Sequence, residues 1–486
     1  MTDVNIQHLV GFFGLGLAVT WLLVPIIIRR SQAWTVQREH SFHQMHAVPI
    51  PRLGGLALAV SFVLIVLGAH LFLGILRDRP GEKLGITVTA LAMFGLGFVD
   101  DLRPLGARKK LFGQVLIATI ACIWISRIEV FQNPLTGQQL DFGLWGIPIT
   151  VLWLVAFTNL INLVDGIDGL AAGISLMLMA LLAYVGMSGE EILPVCVATG
   201  LAGSLLAFLR YNFPPAKIYL GDGGAYFLGF LIGLLAMRQS QKGTVVAALI
   251  APLLALALPI LDVALAVLRR GLKGLPIFRA DRKHLHHRLL AEGFSGRDTV
   301  LMLYGFSCFC LLAAFVVFWS KGRGAPVAVG AICLLLLLAA SRFRFARDWF
   351  SLLRVVGESL EVRKETQAAL ALCQWFDLSA ERAASAEALW RDFEFVVARL
   401  GFREVRLHLN GTVKVWAANA SSADAPVHRH SVSLNHPALT TLEFIANADG
   451  MSEMAFDQLS ELAAEACLKA VLRWQAASGR EFKFHS

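Results

Sequence analysis

Apolar runs about as long as one membrane crossing alternate with short polar segments over the first 344 residues of the chain. A helix needs roughly 20 mostly apolar residues to cross the hydrocarbon core of a bilayer. On this pattern we predict about eleven transmembrane helices. Their approximate limits are 8–28, 53–75, 84–99, 111–126, 144–161, 169–187, 192–209, 221–237, 244–268, 298–319 and 325–341.

The pattern changes after residue 344. Residues 345–372 and 380–400 show the spacing of amphipathic helices, whereas REVRLHLN, TVKVWAA and HRHSVSL alternate like half-buried strands. The segment that starts at Met451 is expected to form a closing helix, with Ser452 as a candidate cap.

Composition agrees with these patterns, because 56% of the residues are hydrophobic and 16% are charged, whereas a soluble globular protein has about 25% charged residues. We therefore predict an α-helical polytopic membrane protein over residues 1–344, followed by a small soluble α+β domain over residues 345–486. The net charge of +8 divides into +11 for the first part and −3 for the second. Basic loops on a membrane protein indicate contact with lipid phosphates, so we do not expect nucleic acid as a partner.

Charge also predicts the orientation in the membrane. The first apolar run has no Lys or Arg before it and is followed by Arg29 and Arg30, which favours a retained helix with its N-terminus outside. With this orientation the predicted inside loops carry 18 Lys and Arg and the outside loops carry 8, as the positive-inside rule requires. The C-terminal domain then lies on the cytoplasmic side.

Four polar motifs fall at the predicted inside ends of the spans, namely FVDDLRPLGARKK, NLINLVDGIDG, YLGDGGAY and RADRKHLHHRL. Ionisable residues in or beside a membrane-spanning segment are expensive, and they mark candidate functional sites. Because the four motifs share one side, we predict one composite site at the cytoplasmic membrane surface.

Asp100 and Asp101 follow an apolar run directly. Paired carboxylates stay ionised in a dry site only if a cation compensates them. Mg²⁺ suits this role because it takes oxygen ligands and is often held by one or two carboxylates together with substrate phosphates. Alternatively, the pair balances the basic residues that follow it, among them Lys110.

Polar residues recur every three positions in the second motif, at Asn159, Asn162, Asp165 and Asp168. On a helix this spacing places them on one face, as a polar stripe at the end of an apolar helix. The stripe is either part of a magnesium and phosphate site or a hydrogen-bonded seam between helices.

The remaining motifs add a carboxylate and several cations. Asp222 lies between glycines at the start of a span, where it either caps the helix or binds a ligand. Arg52 follows a Pro-rich entry to the second span and can reach a phosphate, or it belongs to a simple basic turn. The segment DRKHLHHRLL matches a phosphate site better than zinc, with anionic lipid as an alternative ligand. Its candidate contacts are His284, His286, His287 and Arg288.

The ordered set of motifs resembles the polyprenyl-phosphate N-acetylhexosamine-1-phosphate transferases. The segments that carry the resemblance are VDDLRPLGARKKLFGQ, NLINLVDGIDGLAAG, IYLGDGGAYFLG and DRKHLHHRLL, supported by HAVPIPRLGG and PILDVALAVLRR, over roughly residues 10–341. The resemblance implies transfer of a sugar 1-phosphate from a UDP-N-acetylhexosamine to a polyprenyl phosphate such as undecaprenyl phosphate, with release of UMP. It also implies Mg²⁺ or Mn²⁺ as cofactor and a location in the bacterial inner membrane, with the active site on the cytoplasmic side.

The resemblance further implies roles for individual residues. Asp100, Asp101 and Asp165 would be catalytic, and Asp101 and Asp165 would bind the metal. The expected substrate-binding residues are Arg52, Lys110, Asn159, Asn162, Asp168, Asp222, His284, His286, His287 and Arg288. Whether the protein forms a homo-oligomer is left open.

Two departures guide the choice of branch. The branch that uses a muramyl-pentapeptide donor usually has three contiguous His followed by Phe-Glu, where this chain has His284-Leu-His-His-Arg. The TPTMGG-type stretch of that branch is also absent. The sequence is closer to the branch that starts O-antigen and other cell-envelope polysaccharides, including those of lipopolysaccharide.

Three other functions are weighed against transfer. A transporter with intramembrane carboxylates would place polar residues near mid-span and show repeat symmetry, neither of which the sequence shows. A CDP-alcohol phosphotransferase would need an Arg that DGIDGLAAG lacks. A membrane-anchored sensor or scaffold would act through residues 345–486, in which we find no chemical motif.

Overall fold

A computed structural model of the chain describes residues 5–31, 50–74, 80–132, 138–187, 192–239, 260, 271, 293–320, 324–342, 366–409, 412–418, 426–434, 439–448, 451, 453–480, 482 and 484. They belong to two compact units. The described residues of the first unit lie between positions 5 and 342, and those of the second are Gly271 and the residues between positions 366 and 484.

The first unit is built from helices and one small hairpin. The helices are α1 (Ile6–Ser31), α2 (Gly54–Leu73), α3 (Pro80–Leu102), α4 (Ala107–Trp124), α5 (Gly146–Val164), α6 (Leu170–Gly186), α7 (Ile192–Asn212), α8 (Gly221–Gln239), α9 (Gly296–Trp319) and α10 (Ala325–Arg342). The antiparallel strands β1 (Val130–Gln132) and β2 (Gln139–Asp141) form the hairpin between α4 and α5, which the apolar pattern does not predict.

Each predicted span other than the ninth coincides with one of these helices. The ninth, 244–268, lies outside the described residues except for Ile260. Within the described part of the chain, six helices are long and apolar enough to cross a membrane, namely α1, α2, α3, α5 with the turn before it, α7 and α9. The expected number of eleven is therefore not confirmed, because the other helices are shorter or carry charges in their first or last turn.

Helix α8 is the centre of this unit. It packs against α2, α3, α5 and α6, and residues 223–237 are buried without interruption. Because this part of the helix is buried on every side, it is apolar all round and has no polar face. The outer helices instead bury one side, as α1 does against α7.

The N-terminus of α8 lies in direct backbone contact with α2 and α3. A Cβ atom at Gly97 of α3 would overlap the carbonyl group of Asp222, and one at Gly55 of α2 would overlap the Cα atom of Gly224. Only glycine at these positions allows the three backbones to approach so closely. The first turn of α8 is thereby placed beside the acidic end of α3.

We expect Gly97→Ala to lower the thermal stability of the purified protein and to reduce its activity, because the added methyl group forces α3 away from the first turn of α8. Gly95→Ala is the matched control, since a Cβ atom at this position of the same helix meets nothing within 4 Å. Melting temperatures of both variants in detergent test the prediction. Equal values for the two variants would contradict it.

Helices α3 and α8 are also joined at their opposite ends. The side chains of Glu82 in the first turn of α3 and Arg238 in the last turn of α8 form an ion pair, and they are 15% and 8% exposed. Since one end is held by this pair and the other by the glycine contact, the two helices are held in register along their whole length.

The second unit is a four-stranded antiparallel sheet with helices. After a helical segment at 366–379, its elements are α11 (Ala386–Arg399), β3 (Glu404–Leu409), β4 (Thr412–Ala417), β5 (Val427–Ser433), β6 (Leu439–Asn447) and α12 (Glu453–Ser478). The strand order is β4-β3-β6-β5. Alternate residues of β3, Val405 and Leu407, are buried in one core with Phe393 of α11 and Phe456 of α12.

The strands expected from alternation, β3, β4 and β5, are confirmed, and the closing helix is confirmed as α12. Strand β6 is not predicted by the sequence pattern. It lies between β3 and β5, and three successive residues, Phe444, Ile445 and Ala446, are buried. Burial on both faces removes the polar positions that alternation needs. Ser452, the expected cap, lies outside the described residues.

Candidate active site

Asp101 binds the N-terminus of α8. Its Oδ1 atom accepts a hydrogen bond from the backbone N–H of Asp222 (3.1 Å), and its Oδ2 atom accepts one from that of Gly223 (2.8 Å). A carboxylate is stabilised at this end of a helix by the free N–H groups and by the helix dipole. The cap of α8 therefore comes from Asp101 of α3, and the side chain of Asp222 is left for other contacts.

Lys110 lies between two carboxylates. Its Nζ atom is 2.6 Å from Oδ2 of Asp100 and 3.0 Å from Oδ2 of Asp222. Oδ1 of Asp100 also accepts a hydrogen bond of 2.6 Å from the backbone N–H of Leu105, which closes the turn between α3 and α4. Both oxygens of Asp100 therefore have partners, and the ion pair between Asp100 and Lys110 holds the Lys110 ammonium group beside Asp222.

Asp165 lies just beyond the end of α5, at the beginning of a turn that we call the acidic loop (residues 165–169). Burial raises the pKa of Asp165 well above its usual range, and the carboxylates of Asp222 and Asp101 raise the pKa further, while Arg52 opposes them. The acidic loop and the first turn of α8 therefore form one electrostatic cluster, with Arg52 as a nearby cation.

The expected polar stripe on one helix face is wrong in part. Helix α5 ends at Val164, so Asp165 and Asp168 lie on the acidic loop and not on a continuous helix with Asn159. The helical path stops at Asp165, the C-cap of α5, whose φ of −73° and ψ of 24° are no longer helical, and Gly169, with a φ of 78° that favours glycine, begins α6 as its N-cap. The loop turns the chain directly into α6.

The two asparagines of the stripe differ in their contacts. The Asn159 amide donates to Oε1 of buried Gln114 on α4 (2.7 Å) and to the carbonyl group of Val155 (2.8 Å). This is a hydrogen-bonded seam between α4 and α5, the alternative weighed for this motif. Asn162 is partly buried, and its side chain makes no hydrogen bond within the part of the chain that the structure describes.

Asp168 is tied to the loop between α7 and α8. Its Oδ2 atom accepts a hydrogen bond of 2.9 Å from the backbone N–H of Ala216. Tyr219 of the same loop is an additional member of the cluster. Burial raises the pKa of Tyr219 to about 12, and the Asp168 carboxylate contributes to the increase while Arg52 opposes it.

Arg52 reaches the cluster because the chain before α2 pairs with the α7–α8 loop. The N–H of Tyr219 donates to the carbonyl group of Pro51 (2.8 Å), and the N–H of Gly54 donates to that of Tyr219 (2.9 Å). Arg52 lies inside this short backbone pairing, and its side chain is exposed. A cation at the open side of a carboxylate cluster is well placed to meet an incoming phosphate.

The structure therefore brings together most of the predicted site. Around the first turn of α8 it places Arg52, Asp100, Asp101, Lys110, Asp165, Asp168 and Asp222, with Asn159 in the adjacent seam. The histidine segment, with His284, His286, His287 and Arg288, lies outside the described residues. Four further residues of the site, Gln114, Asn212, Tyr219 and Tyr304, are not predicted from the sequence pattern. Gln114 and Asn212 could have been identified there, because they are polar residues on apolar helices.

Among the described residues, carboxylates outnumber cations in this cluster. The acids are Asp100, Asp101, Asp165, Asp168 and Asp222, and the bases are Lys110 and Arg52. No group of three His, Cys, Asp or Glu in the described ranges is close enough to hold a metal by itself. A Mg²⁺ ion commonly takes only one or two carboxylates and completes its shell with water and substrate phosphates, so this oxygen-rich donor set fits such an ion.

Comparison with known proteins identifies the region around these carboxylates. The model described as glycosyl transferase family 4 matches residues 83–240, from the first turns of α3 to just past α8. A probable undecaprenyl-phosphate N-acetylglucosaminyl 1-phosphate transferase of Bacillus subtilis is 34% identical over 304 residues, which are 63% of this chain and 83% of the relative. The chain belongs to glycosyl transferase family 4. The acids Asp100, Asp101, Asp165, Asp168 and Asp222 all lie inside the family match.

Other relatives of this family 4 protein carry two kinds of name. A decaprenyl-phosphate N-acetylglucosaminephosphotransferase of Mycobacterium leprae is 33% identical over 64% of this chain and 84% of the relative. A phospho-N-acetylmuramoyl-pentapeptide-transferase of Moorella thermoacetica is 33% identical over 62% of this chain and 95% of the relative. Identity alone therefore does not separate the two branches.

Proposed function

We propose that the protein transfers an N-acetylhexosamine 1-phosphate from a UDP-N-acetylhexosamine to a polyprenyl phosphate such as undecaprenyl phosphate. The products are UMP and a polyprenyl diphosphate that carries the sugar. The observation that carries the proposal is the carboxylate cluster around the first turn of α8, which lies within the family match and includes Asp101, Asp165 and Asp222. The names of the relatives support it.

The reaction joins two anions, and this determines what the residues must do. An oxygen of the lipid phosphate attacks the β-phosphorus of the UDP-sugar, and the bond from that phosphorus to the oxygen bridging it to the α-phosphate breaks, so that UMP leaves. Catalysis of such a transfer is mostly positioning and charge compensation. Lys110, Arg52 and the segment with His284, His286, His287 and Arg288 supply positive charge, and Asn162 and Asp168 line the nucleotide-sugar pocket.

A strong general base is not required. The second pKa of a phosphate monoester is about 6, so the lipid phosphate is mostly a dianion near neutral pH. Asp100 is held by Lys110 and by the N–H of Leu105, and both contacts favour its ionised form. We therefore give Asp100 the role of holding Lys110 in place beside Asp222.

We further propose Mg²⁺ or Mn²⁺ as the cofactor, with Asp101 and Asp165 as ligands and Asp222 beside them. When bound, the ion would neutralise charge on the diphosphate and its leaving group. Asp101 can serve because each carboxylate oxygen has two lone pairs and only one is used by the α8 backbone. Asp165 can serve because its side chain makes no hydrogen bond among the residues that the structure describes.

We assign the transferase activity to residues 1–344, in the bacterial inner membrane with the site on the cytoplasmic side, and we treat residues 345–486 as a separate cytoplasmic domain. The His284-Leu-His-His-Arg segment favours an N-acetylhexosamine donor over a muramyl-pentapeptide donor. The product then begins an O-antigen, lipopolysaccharide or related envelope polysaccharide.

Membranes that contain the protein, given UDP-N-acetylglucosamine and undecaprenyl phosphate, are expected to release UMP when Mg²⁺ or Mn²⁺ is present and to stop when EDTA removes the metal. The measurement is UMP by chromatography, over a panel of UDP-N-acetylhexosamines and with UDP-glucose as the control donor. Membranes without the protein give the background. Failure of every UDP-N-acetylhexosamine to yield UMP above that background would refute the proposed function.

A further inference from the structure

The acidic loop is held at its last residue, Gly169, from two sides. The N–H of Gly169 donates to Oδ1 of Asn212 on α7 (3.1 Å), and the Tyr304 hydroxyl on α9 donates to the carbonyl oxygen of Gly169 (2.6 Å). The same carbonyl accepts the first helical hydrogen bond of α6, from Gly173 (2.9 Å). The N–H and the carbonyl group of Gly169 belong to the two successive peptide groups that flank its Cα atom, so each of these two groups is fixed by a contact to another helix.

Tyr304 reaches this carbonyl only because residue 173 is glycine. A Cβ atom at Gly173 would occupy the space of the Tyr304 hydroxyl and of the ring carbon that bears it. No methyl group can be added there while the hydrogen bond is kept. The hydrogen bond therefore depends on both helices. It is lost if Tyr304 of α9 loses its hydroxyl group or if Gly173 of α6 gains a side chain.

The Asn212 contact extends to the next loop. Its side-chain N–H₂ donates to the carbonyl group of Ile218 (2.8 Å), and the side chain is almost fully buried. Asp168 is joined to the same α7–α8 loop through Ala216. Helix α9 makes a second contact there, since the guanidinium group of Arg297 lies 5.9 Å from the ring centre of Phe213. Three elements thus determine where the acidic loop lies.

We propose that Tyr304 and Asn212 are positioning residues for nucleotide-sugar binding, which they serve by clamping the two peptide groups that flank Gly169 and so orienting Asp165 and Asp168. The inference rests on the proposed function, since it assigns the acidic loop to the UDP-sugar side of the reaction. Neither residue touches substrate in this proposal. Helix α9 begins eight residues after Arg288 in the sequence, so the clamp also ties the acidic loop to the helix that follows the histidine segment.

The first test is Tyr304→Phe in full-length protein reconstituted in nanodiscs. Loss of one hydrogen bond of typical strength corresponds to a change of roughly fivefold. We expect the KM for the UDP-sugar and the Mg²⁺ concentration for half-maximal rate to rise by about that factor, with the KM for undecaprenyl phosphate unchanged. Gly173→Ala should raise both values by at least as much, because its methyl group displaces the Tyr304 ring together with the hydroxyl. The double variant should be no worse than Gly173→Ala, since the two changes remove the same hydrogen bond.

Tyr184→Phe is the matched control. Tyr184 also lies on α6 and packs against α9, with its ring centre 5.3 Å from that of Phe315, but its side chain is 40% exposed. This variant should leave both KM values and the metal dependence unchanged. If Tyr184→Phe raised the KM for the UDP-sugar as much as Tyr304→Phe does, the effect would come from general packing between α6 and α9, and the inference would be overturned.

A second readout does not depend on activity. Amide hydrogen exchange of the peptide that covers residues 165–170 should be about fivefold faster in Tyr304→Phe than in the unmodified protein, because the carbonyl group of Gly169 loses its contact with α9 and the acidic loop opens more often. Unchanged exchange overturns the clamp, and faster exchange with an unchanged UDP-sugar KM overturns its role in binding. If the unmodified protein turns over no UDP-sugar, the proposed function fails, and the exchange comparison alone decides whether the clamp exists.

Discussion

Asp165→Asn is expected to reduce UMP release by roughly 10²–10³-fold, the usual effect of removing one electrostatic contact to a transition state. The substitution keeps the size of the side chain and removes its charge. In the structure the Asp165 carboxyl group interacts with the carboxylates of Asp222 and Asp101, which raise its pKa. A bound divalent cation would keep Asp165 ionised, and asparagine cannot supply that charge, so the substitution weakens binding of the cation and of the diphosphate that binds with it. The measurement is the initial rate in membranes at saturating Mg²⁺ and UDP-sugar, normalised to the amount of inserted protein.

Asp141→Asn is the control for this substitution. Asp141 is exposed, lies on β2 away from the acidic motifs in sequence, and accepts a hydrogen bond from the N–H of Gly143 (2.9 Å) that asparagine can also accept. We expect this variant to retain full activity. An active Asp165→Asn protein, with insertion equal to that of the control, would remove Asp165 from the metal site.

Lys110→Met is expected to lower both stability and turnover. Methionine leaves the carboxylates of Asp100 and Asp222 partly buried without their shared cation, and breaking a buried ion pair costs about 3–5 kcal/mol. With Lys110 and Asp222 each 26% exposed, solvent screening favours the lower value, about 3 kcal/mol. Thermal unfolding of the purified protein and UMP release measure the two effects.

Lys109→Met provides the control, because Lys109 is exposed on the same turn of α4 and a single exposed charge contributes little to stability. Adding Asp100→Asn to Lys110→Met removes one uncompensated charge, so stability should recover in part while turnover does not. A Lys110→Met protein as stable as Lys109→Met would show that the ion pairs at Asp100 and Asp222 do not hold α3, α4 and α8 together.

Most acids of the candidate site are predictable from sequence because an acid beside a membrane core has few structural reasons to be there. The cost of a charge beside the membrane core predicts Asp100, Asp101, Asp165 and Asp222 one by one. It does not find their partners, since the contact of Asp101 with the α8 backbone and that of Lys110 with Asp222 join residues more than 100 positions apart. Such pairs depend on which helices are neighbours, and apolar spacing carries no information on that.

The prediction of one polar helix face from Asn159 to Asp168 is wrong in part. Spacing by three residues fits a helix, yet α5 ends at Val164, and Asp165 and Asp168 lie on the loop that leads to Gly169, the left-handed N-cap of α6. The seam interpretation applies to Asn159, which bonds to Gln114. The motif therefore contains a residue of the seam between helices, Asn159, and residues of the candidate active site, Asp165 and Asp168. Only the contacts with neighbouring helices distinguish the two roles.

Sequence alone determined that this chain is a membrane protein with acidic and basic groups at the ends of its helices, because hydrocarbon thickness and the cost of buried charge act on each segment separately. The resemblance of its ordered motifs then pointed to sugar-phosphate transfer. Tertiary structure alone decided that Asp101 caps α8, that Lys110 is shared by Asp100 and Asp222, and that Tyr304 and Asn212 hold the acidic loop. These contacts form only when separate helices pack, and close packing depends on glycines and crossing points that no single segment reveals.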